Sequence, residues 1–536
     1  MSLPIGVDAE TLVCGKEDRD THMQVIGASG VGKSYFLESM VRYDIMRGRG
    51  VCLIDPHGEM YNNLVTWLAC YGYKTNQVHL INPTKNEYSV GFNPLALDRE
   101  PSRCVSDMIN AITRVWGGND MSDTPRLKKC LRLTLYALAH HRLSLLNANI
   151  FTSTRFKTLR QRLVSELPIE EYRDEWAEFD TYGDREYREY FESTRSRLLE
   201  FVTSPAIRPI IGQTENVLDF GQCMDKGHIV LVNLAESGSF HKQEAQLLGA
   251  LITAEMYSCA KQRKVGWAKA HPFYAVLDEC ASFINDDIAN SLDETRKFGL
   301  HFILSHQRLQ QLKNVSDNCY DAVMANAQAK VVFRVNDDEN AEVLCTQLFR
   351  SEFDLERPKE ILSKPVAVGQ EIITLFSESE THTSGTNSTA MDGSGSSRSS
   401  GSSENMSESV FTPTVGDIPG VFSGVSSGQV SGSAEQRFTA SSEGKSDSIG
   451  YTTGSSQSLR TVYEVMPSAT YSLEEIKHLG IRSIRELPNR TAFVVLPNQK
   501  PRRIQTLDVK GFSPLPGIIE RTTTRLYERS QYAKSQ

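Results

Sequence analysis

Nowhere in the chain do eighteen apolar residues run together, and the first stretch, MSLPIGVDAETLVCGKEDRD, has neither a basic flank nor an apolar centre. The sequence is therefore read as having no membrane span and no secretory leader. Ten cysteines are scattered over 536 residues without a CxxC pair or a metal-ligand spacing. That pattern argues against a disulfide framework and fits free thiols in a reducing compartment, so a cytoplasmic location is expected. Positive charge is also short: 58 Lys and Arg stand against 66 Asp and Glu, a net charge of -8. A surface of that sign does not attract a polyanion as a whole, and any contact with one must be local.

What is present is an ordinary globular composition, 39% hydrophobic and 23% charged, in a length that suits two or three domains. Short apolar runs alternate with helical patterns. MQVI, VCLID, QVHLINP, HIVLVNLAE, FYAVLDEC, LHFILSHQ and AKVVFRV read as strands buried on both faces, which predicts a doubly wound α/β core with a mostly parallel sheet. That core is expected over 1–97 and 213–376. Between them, over 98–212, strand signals vanish and helical patterns such as LKKCLRLTLYALAHH and REYREYFESTRSRLLEFV predict an all-α insertion domain. Its basic clusters, Lys128 with Lys129 and Arg155, Lys157, Arg160 and Arg162, read either as a solvated helix face or as phosphate contacts.

From 377 to 460 the composition turns to Ser, Gly and Thr, which cannot bury enough apolar surface to fold; a flexible tether with a span of about 50 Å is expected. Beyond it, over 461–512, YSLEEIKHLGIRSI opens with a capping box from Ser472 to Glu475, and TAFVVLPN and RRIQTLDV read as strands. EIITLF lies just before the tether, so this small C-terminal unit is expected to return to the motor domain, leaving 513–536 as a tail.

The chemistry begins at VIGASGVGKSYF, where Gly27, Ser29, Gly30, Val31, Gly32, Lys33, Ser34 and Tyr35 carry the spacing of a phosphate-binding loop between a strand and a helix. Glycines let backbone N–H groups converge on phosphates, Lys33 reaches the outer phosphates, and Ser34 offers its hydroxyl to Mg2+. FYAVLDEC ends a strand in adjacent carboxylates, Asp278 and Glu279. One can hold hydrated Mg2+ while the other orients and deprotonates an attacking water, so ATP and Mg2+ are the expected ligands. The next strand finishes with Ser305, His306 and Gln307; Gln307, which both donates and accepts, is the γ-phosphate sensor candidate, and His306 reads as structural. Arg296, ahead of that strand, is either a helix-end cation or an arginine finger for a neighbouring subunit, with Arg334 as its competitor. Asp55, His57 and Glu59 follow the second core strand and read as a turn cap or a contact between subunits.

GASGVGKS, LIDPHGE, FNPL, IVLVNLAE, VLDECASF, RKFGLHFILSHQRLQQL and ANAQAKVVFRV occur in this order with a helical insertion. Together they resemble the TraD/TraG type of conjugative, type IV secretion coupling protein and the related HerA/FtsK ATPases. The resemblance implies a RecA-like P-loop NTPase, a homo-hexameric ring with ATP between subunits, and DNA held by sequence-tolerant phosphate contacts and moved through the centre. Lys33 and Ser34 then bind nucleotide and Mg2+, Asp278 holds Mg2+, Glu279 hydrolyses, Gln307 senses the γ-phosphate, and Arg296 serves the neighbour. The reading is an ATP-driven DNA translocase with a secretion-channel, relaxosome or nuclease partner, and without its own membrane span a partner would recruit it to the inner membrane. Two alternatives stand beside it: a HerA-like motor paired with a nuclease or effector in repair or phage defence, and an ATPase that recruits or moves protein substrates in secretion.

Overall fold

The computed structural model describes residues 3–7, 11–71, 75–85, 88–95, 100–115, 125–213, 216, 218–286, 289, 292–349, 363–386, 445–467, 472–509, 517–529 and 533–534. They fall into two units. One comprises Met1–Asp354 with Ser472–Gln536, the other Leu355–Tyr471.

The first unit is built on the strands β1 (Leu3–Val7), β2 (Thr11–Cys14), β3 (Met23–Ile26), β4 (Gly50–Asp55), β5 (Val78–Ile81), β6 (Tyr88–Ser89), β7 (Ile229–Asn233), β8 (Phe273–Leu277), β9 (Leu300–His306) and β10 (Ala329–Val332). After the second unit, which holds β11 (Ser363–Thr386) and β12 (Lys445–Pro467), the first resumes with β13 (Thr491–Val495), β14 (Arg502–Thr506) and β15 (Ala533–Lys534). Eleven of these strands form one sheet in the order β2-β1-β14-β13-β10-β3-β9-β8-β4-β7-β5. The seven from β10 to β5 run parallel, and β13, β14, β1 and β2 extend them as antiparallel neighbours. This is a RecA-like doubly wound core, with β9 between the strand that leads into the phosphate loop and the strand that ends in the two carboxylates.

Alternation along each strand divides the core. On β4, Val51 and Leu53 face the cluster shared with the helices Lys33–Met46 and Glu59–Tyr71. Cys52 and Ile54 face a larger cluster that is continuous with the helical segment. Among the described residues between 100 and 212 there are only helices and 3-10 turns. Their apolar side chains, such as Leu131, Phe151, Trp176 and Phe201, share that cluster with the sheet, so the helical layer and the sheet are sealed by common burial rather than by a thin seam.

The antiparallel extension arises in part from the segment that follows the Ser-rich region. The helix Leu473–Arg485 starts on the capping box expected there: Ser472 Oγ accepts from Glu475 N at 3.2 Å and Glu475 Oε2 accepts from Ser472 N at 2.9 Å. β13 then pairs with β10. The last helix, Ile518–Arg529, lies within the stretch expected as a tail, yet it packs into the core through Leu526 and Tyr527. Tyr527 Oη meets Tyr61 Oη at 2.8 Å.

In the second unit β11 and β12 form a two-stranded antiparallel ladder from Ser363↔Pro467 to Thr386↔Lys445. Residues 377–386 and 445–460, expected as tether, are thus paired strand, because alternating Thr, Ser, Tyr and Ile can close a backbone ladder without forming a core. The remainder of the expected tether, 387–444, lies outside the described residues.

Candidate nucleotide site

The helix Lys33–Met46 begins without a side-chain cap, on Gly32 at φ 107°. Gly30 also has positive φ, 77°. The two glycines turn the chain so that the first N–H groups of a 14-residue helix face outward, the arrangement that attracts an anion. Ser29, Gly30 and Ser34 are exposed around this turn, and Val31 is buried beneath it. Lys33 is folded inward, its Nζ donating to Gly27 O at 2.7 Å and Ala28 O at 2.9 Å. Burial lowers its pKa, against the opposing pull of Asp278 and Glu279.

Parallel pairing brings the ends of β3, β9 and β8 side by side. Asp278, 3% exposed, accepts from Ser305 Oγ at 2.7 Å through Oδ1. Burial raises its pKa; the Ser305 hydrogen bond opposes this, while Asp55 and Glu279 add to it. Lysine and aspartate are thus each desolvated with the charged form penalised, which a ligand carrying phosphates and a divalent cation would reverse. Ser34, exposed at the helix start, and Asp278 fit that cation, and Lys33 fits the phosphates.

Glu279 occupies the left-handed region, φ 48° and ψ 47°, a conformation costing a non-glycine residue about 1 kcal/mol or more. Its carboxylate is held by two amides: Gln307 Nε2 donates to Oε1 at 2.5 Å and Gln311 Nε2 donates to Oε2 at 3.1 Å. Gln311 in turn accepts from Gln307 N at 2.8 Å and Arg308 N at 3.0 Å. The amide that the sequence singled out therefore reaches the carboxylate, supported by a second amide one helical turn later. The exposed ring of His57 lies with Nε2 3.9 Å from Glu279 Oε1. Asp55 caps its own turn, accepting from His57 N at 2.9 Å and Tyr61 N at 2.8 Å; Glu59 is exposed.

His306 is fully buried, bonded to Arg308 O at 3.1 Å and to the Gln24 amide at 3.0 Å. Burial pushes its pKa down to about 4, so it stays neutral.

The two arginine candidates part company. Arg296 is exposed in the turn before β9, at the other end of a seven-residue strand from Gln307, roughly 20 Å away along the strand. It does not reach the site of its own chain. Arg334 follows β10 beside the phosphate loop: its carbonyl accepts from Ala28 N at 2.8 Å and its Nη2 donates to Asn489 Oδ1 at 3.1 Å.

A third arginine, which sequence reasoning passed over, arrives from the turn before β13. Arg490 (φ 63°) donates its N–H to Val31 O at 2.8 Å and lies with its guanidinium 4.7 Å from the Tyr35 ring centre. Its Nη1 pairs with Asp508 at 2.6 Å. Tyr35 Oη bridges to Val509, donating to its carbonyl at 2.7 Å and accepting from its N–H at 2.8 Å. No local signal marks Arg490, since a hairpin from the far end of the chain carries it. Gln311 had one: four residues after Gln307, it falls on the same side of the first helical turn.

The basic clusters of the helical segment are largely engaged. Arg160, 1% exposed, pairs with Asp180 at 2.6 Å; Lys157 donates to Asp180 O at 2.8 Å; Lys129 pairs with Glu175. Lys128 and Arg155 are exposed.

A phosphate loop, a buried lysine, paired carboxylates of different orientation and a RecA-like sheet define a P-loop ATPase. Residues 7–146 match the family model described as an AAA-like domain, and residues 272–357 match that described as the TraM recognition site of TraD and TraG. The chain is thus similar to the TraD/TraG type of conjugative coupling ATPase, as its motifs imply. Among solved structures, the plasmid coupling protein TrwB bound to a non-hydrolysable ATP analogue is 15% identical, covers 97% of this chain and 92% of its own, and has a TM-score of 0.55. TrwB with ADP and Mg2+ has the same identity and coverage and a TM-score of 0.52. The unbound form covers 96% of this chain and 91% of its own, with a TM-score of 0.53. These share the fold; no curated protein matches the sequence.

Proposed function

We propose that this protein is a DNA-translocating motor of the conjugative coupling type, working as a homo-hexamer. The observation that carries the reading is the convergence of Lys33, Asp278, Glu279 and Gln307 at the carboxyl ends of β3, β8 and β9, with Glu279 pinned by two amides. Lys33 and the loop N–H groups bind the phosphates of ATP. Ser34 and Asp278 hold Mg2+, which when bound neutralises phosphate charge. Glu279 takes a proton from water as its oxygen attacks the γ-phosphorus and the bond to ADP breaks, and Gln307 registers whether the γ-phosphate is present. Arg296, remote from its own site, serves the site of the neighbouring subunit.

DNA is the proposed track because the RKFGLHFILSHQ block that supplies the sensor is also the most specific part of the coupling-protein resemblance, and that block lies inside the 272–357 match. That family's description also supports a protein partner: we assign this segment the recognition of a relaxosome protein, which would bring the motor to a secretion channel. Among the described residues no helix is long and apolar enough to cross a membrane; recruitment to the inner membrane by that partner is part of the proposal. The test is steady-state ATP hydrolysis with single- and double-stranded DNA over a salt series. Stimulation that fades as salt rises supports phosphate contacts; turnover indifferent to both DNAs contradicts the translocase and favours the protein-handling alternative.

A further inference from the structure

Far from the phosphate loop, the fold assembles a group that the sequence spacing did not disclose. His79 on β5, His228 just before β7 and Cys223 in the helix Phe220–Lys226 bring three ligand-type atoms within 4.8 Å of one another, and among the described residues they are the one such buried trio. His79 Nε2 lies 3.0 Å from His228 Nδ1. All three residues are buried, at 8%, 1% and 8% exposure for His79, Cys223 and His228.

Their meeting has an identifiable local cause. The helix that carries Cys223 ends on Gly227 in the left-handed region, φ 68°, and this turn sends the chain back so that His228 N donates to Cys223 O at 2.9 Å. Pairing of β5 with β7, Val78↔Ile229 and His79↔Val230, then sets His79 beside them. On β4 the buried Cys52 is opposite Val230 in register, one strand further from His79.

Two imidazoles and a thiol are unusual companions for the apolar surroundings of this sheet edge. As a bare trio they share the one imidazole hydrogen bond. Tetrahedral zinc with bonds of about 2.0–2.1 Å to nitrogen and about 2.3 Å to sulfur needs donor atoms roughly 3.3–3.6 Å apart. The 3.0 Å between the two imidazole nitrogens and the 4.8 Å that bounds the trio bracket that range. Nitrogen and sulfur donors select a zinc-type ion over Mg2+, which prefers oxygen, so such a site is chemically distinct from the nucleotide site.

We propose that His79, Cys223 and His228 form a zinc-type site, its fourth position filled by solvent, that staples the β5 edge of the sheet to β7 and to the helix before it. Binding displaces the Cys223 thiol proton to solvent and gives one thiolate and two neutral imidazoles around a divalent ion.

The full chain, purified without chelator, is assayed for metal by mass spectrometry and, after zinc removal, titrated with Co2+. About one zinc per chain is expected, with visible bands of tetrahedral cobalt and a near-ultraviolet thiolate band. Phenanthroline in the presence of Mg2+ should lower the melting temperature, and added zinc should restore it. Cys223→Ser and His79→Gln should each lose most of the bound zinc. Wild-type chain that carries less than about a tenth of an equivalent and gives no cobalt bands overturns the site. So does zinc retained in full by both variants, which would place the ion elsewhere. The wild-type measurements decide the matter even if a variant fails to fold.

Discussion

The two ends of the parallel sheet handle buried charge in opposite ways. At the end where β4 and β8 begin, Arg19 and Asp44 are 2% and 1% exposed and joined by two hydrogen bonds of 2.6 Å, with the Arg19 guanidinium 3.6 Å over the Tyr274 ring and Arg49 adding a third contact to Asp44 at 3.0 Å. The fold itself satisfies those charges. At the other end, Lys33 rests on loop carbonyls and Asp278 on a serine hydroxyl, and Glu279 is kept in a strained conformation by amides. The first end pairs its charges with one another, although Arg19 Nε and Tyr274 Oη find no hydrogen-bond partner among the described residues; the second rests its charges on neutral groups. If the proposed function holds, substitutions at the first end should act on stability and those at the second on turnover, a division that the resemblance alone does not express.

The sharpest way to break this comparison is to exchange the readouts. Glu279→Gln should reduce ATP turnover about 1,000-fold while leaving nucleotide affinity and melting temperature near wild type, as followed by phosphate release and fluorescent-nucleotide binding. Asp44→Ala should do the reverse, costing about 3–5 kcal/mol in chemical denaturation because Arg19 is left buried and unpaired. If Asp44→Ala melted like wild type, the first end would not be the stabilising one. Gln311→Ala, which removes one of the two amides on Glu279, should lower kcat about tenfold, the loss of a hydrogen bond of about 1.5 kcal/mol to a charged group, with little change in affinity.

Two smaller effects sharpen the contrast. His306 has a folded pKa of about 4, below its ordinary 6.5, so its neutral form favours the fold above pH 6.5. That contribution falls away as pH drops from 6.5 towards 4, by up to about 1.4 kcal/mol per pH unit. His306→Gln should flatten the acid limb of a stability-pH curve. His301, buried beside Tyr274 at the first end and lowered well below its usual value mainly by burial, should contribute a limb of the same sign. Arg490→Ala should weaken nucleotide binding a few-fold, measured by competition, because it removes the guanidinium over Tyr35 and loosens the hairpin above the loop; about 0.5–1 kcal/mol is the scale of such a contact.

Much of this was legible in the chain itself. Seven apolar runs, from MQVI to AKVVFRV, are strands where the sequence placed them, because strands buried on both faces leave continuous apolar runs, and TAFVVLPN and RRIQTLDV are strands that alternate buried with more exposed residues. The hairpin β1–β2 went unread: Pro4 and Gly6 interrupt it, and edge strands carry weak patterns. The phosphate loop, Asp278, Glu279 and Gln307 were readable because local chain order makes them neighbours of strand ends. Arg490 was not, since a hairpin from the far end of the chain carries it, nor was the trio, since only sheet register brings His79 to Cys223 and His228, more than a hundred positions later. Arg160 misled in the other direction. Its place in a basic cluster suggested a surface, yet it is buried against Asp180, which composition cannot reveal.

The central claim is that the site formed by Lys33, Asp278, Glu279 and Gln307 powers movement along DNA. Its most direct test is ATP-dependent displacement of streptavidin from end-biotinylated DNA by the wild-type protein and by Glu279→Gln. The account expects displacement by the wild type with ATP, none with a non-hydrolysable analogue, and none by the variant although it still binds nucleotide. Wild-type ATP turnover with no displacement from either single- or double-stranded DNA would contradict it, leaving an ATPase whose cargo is something other than DNA.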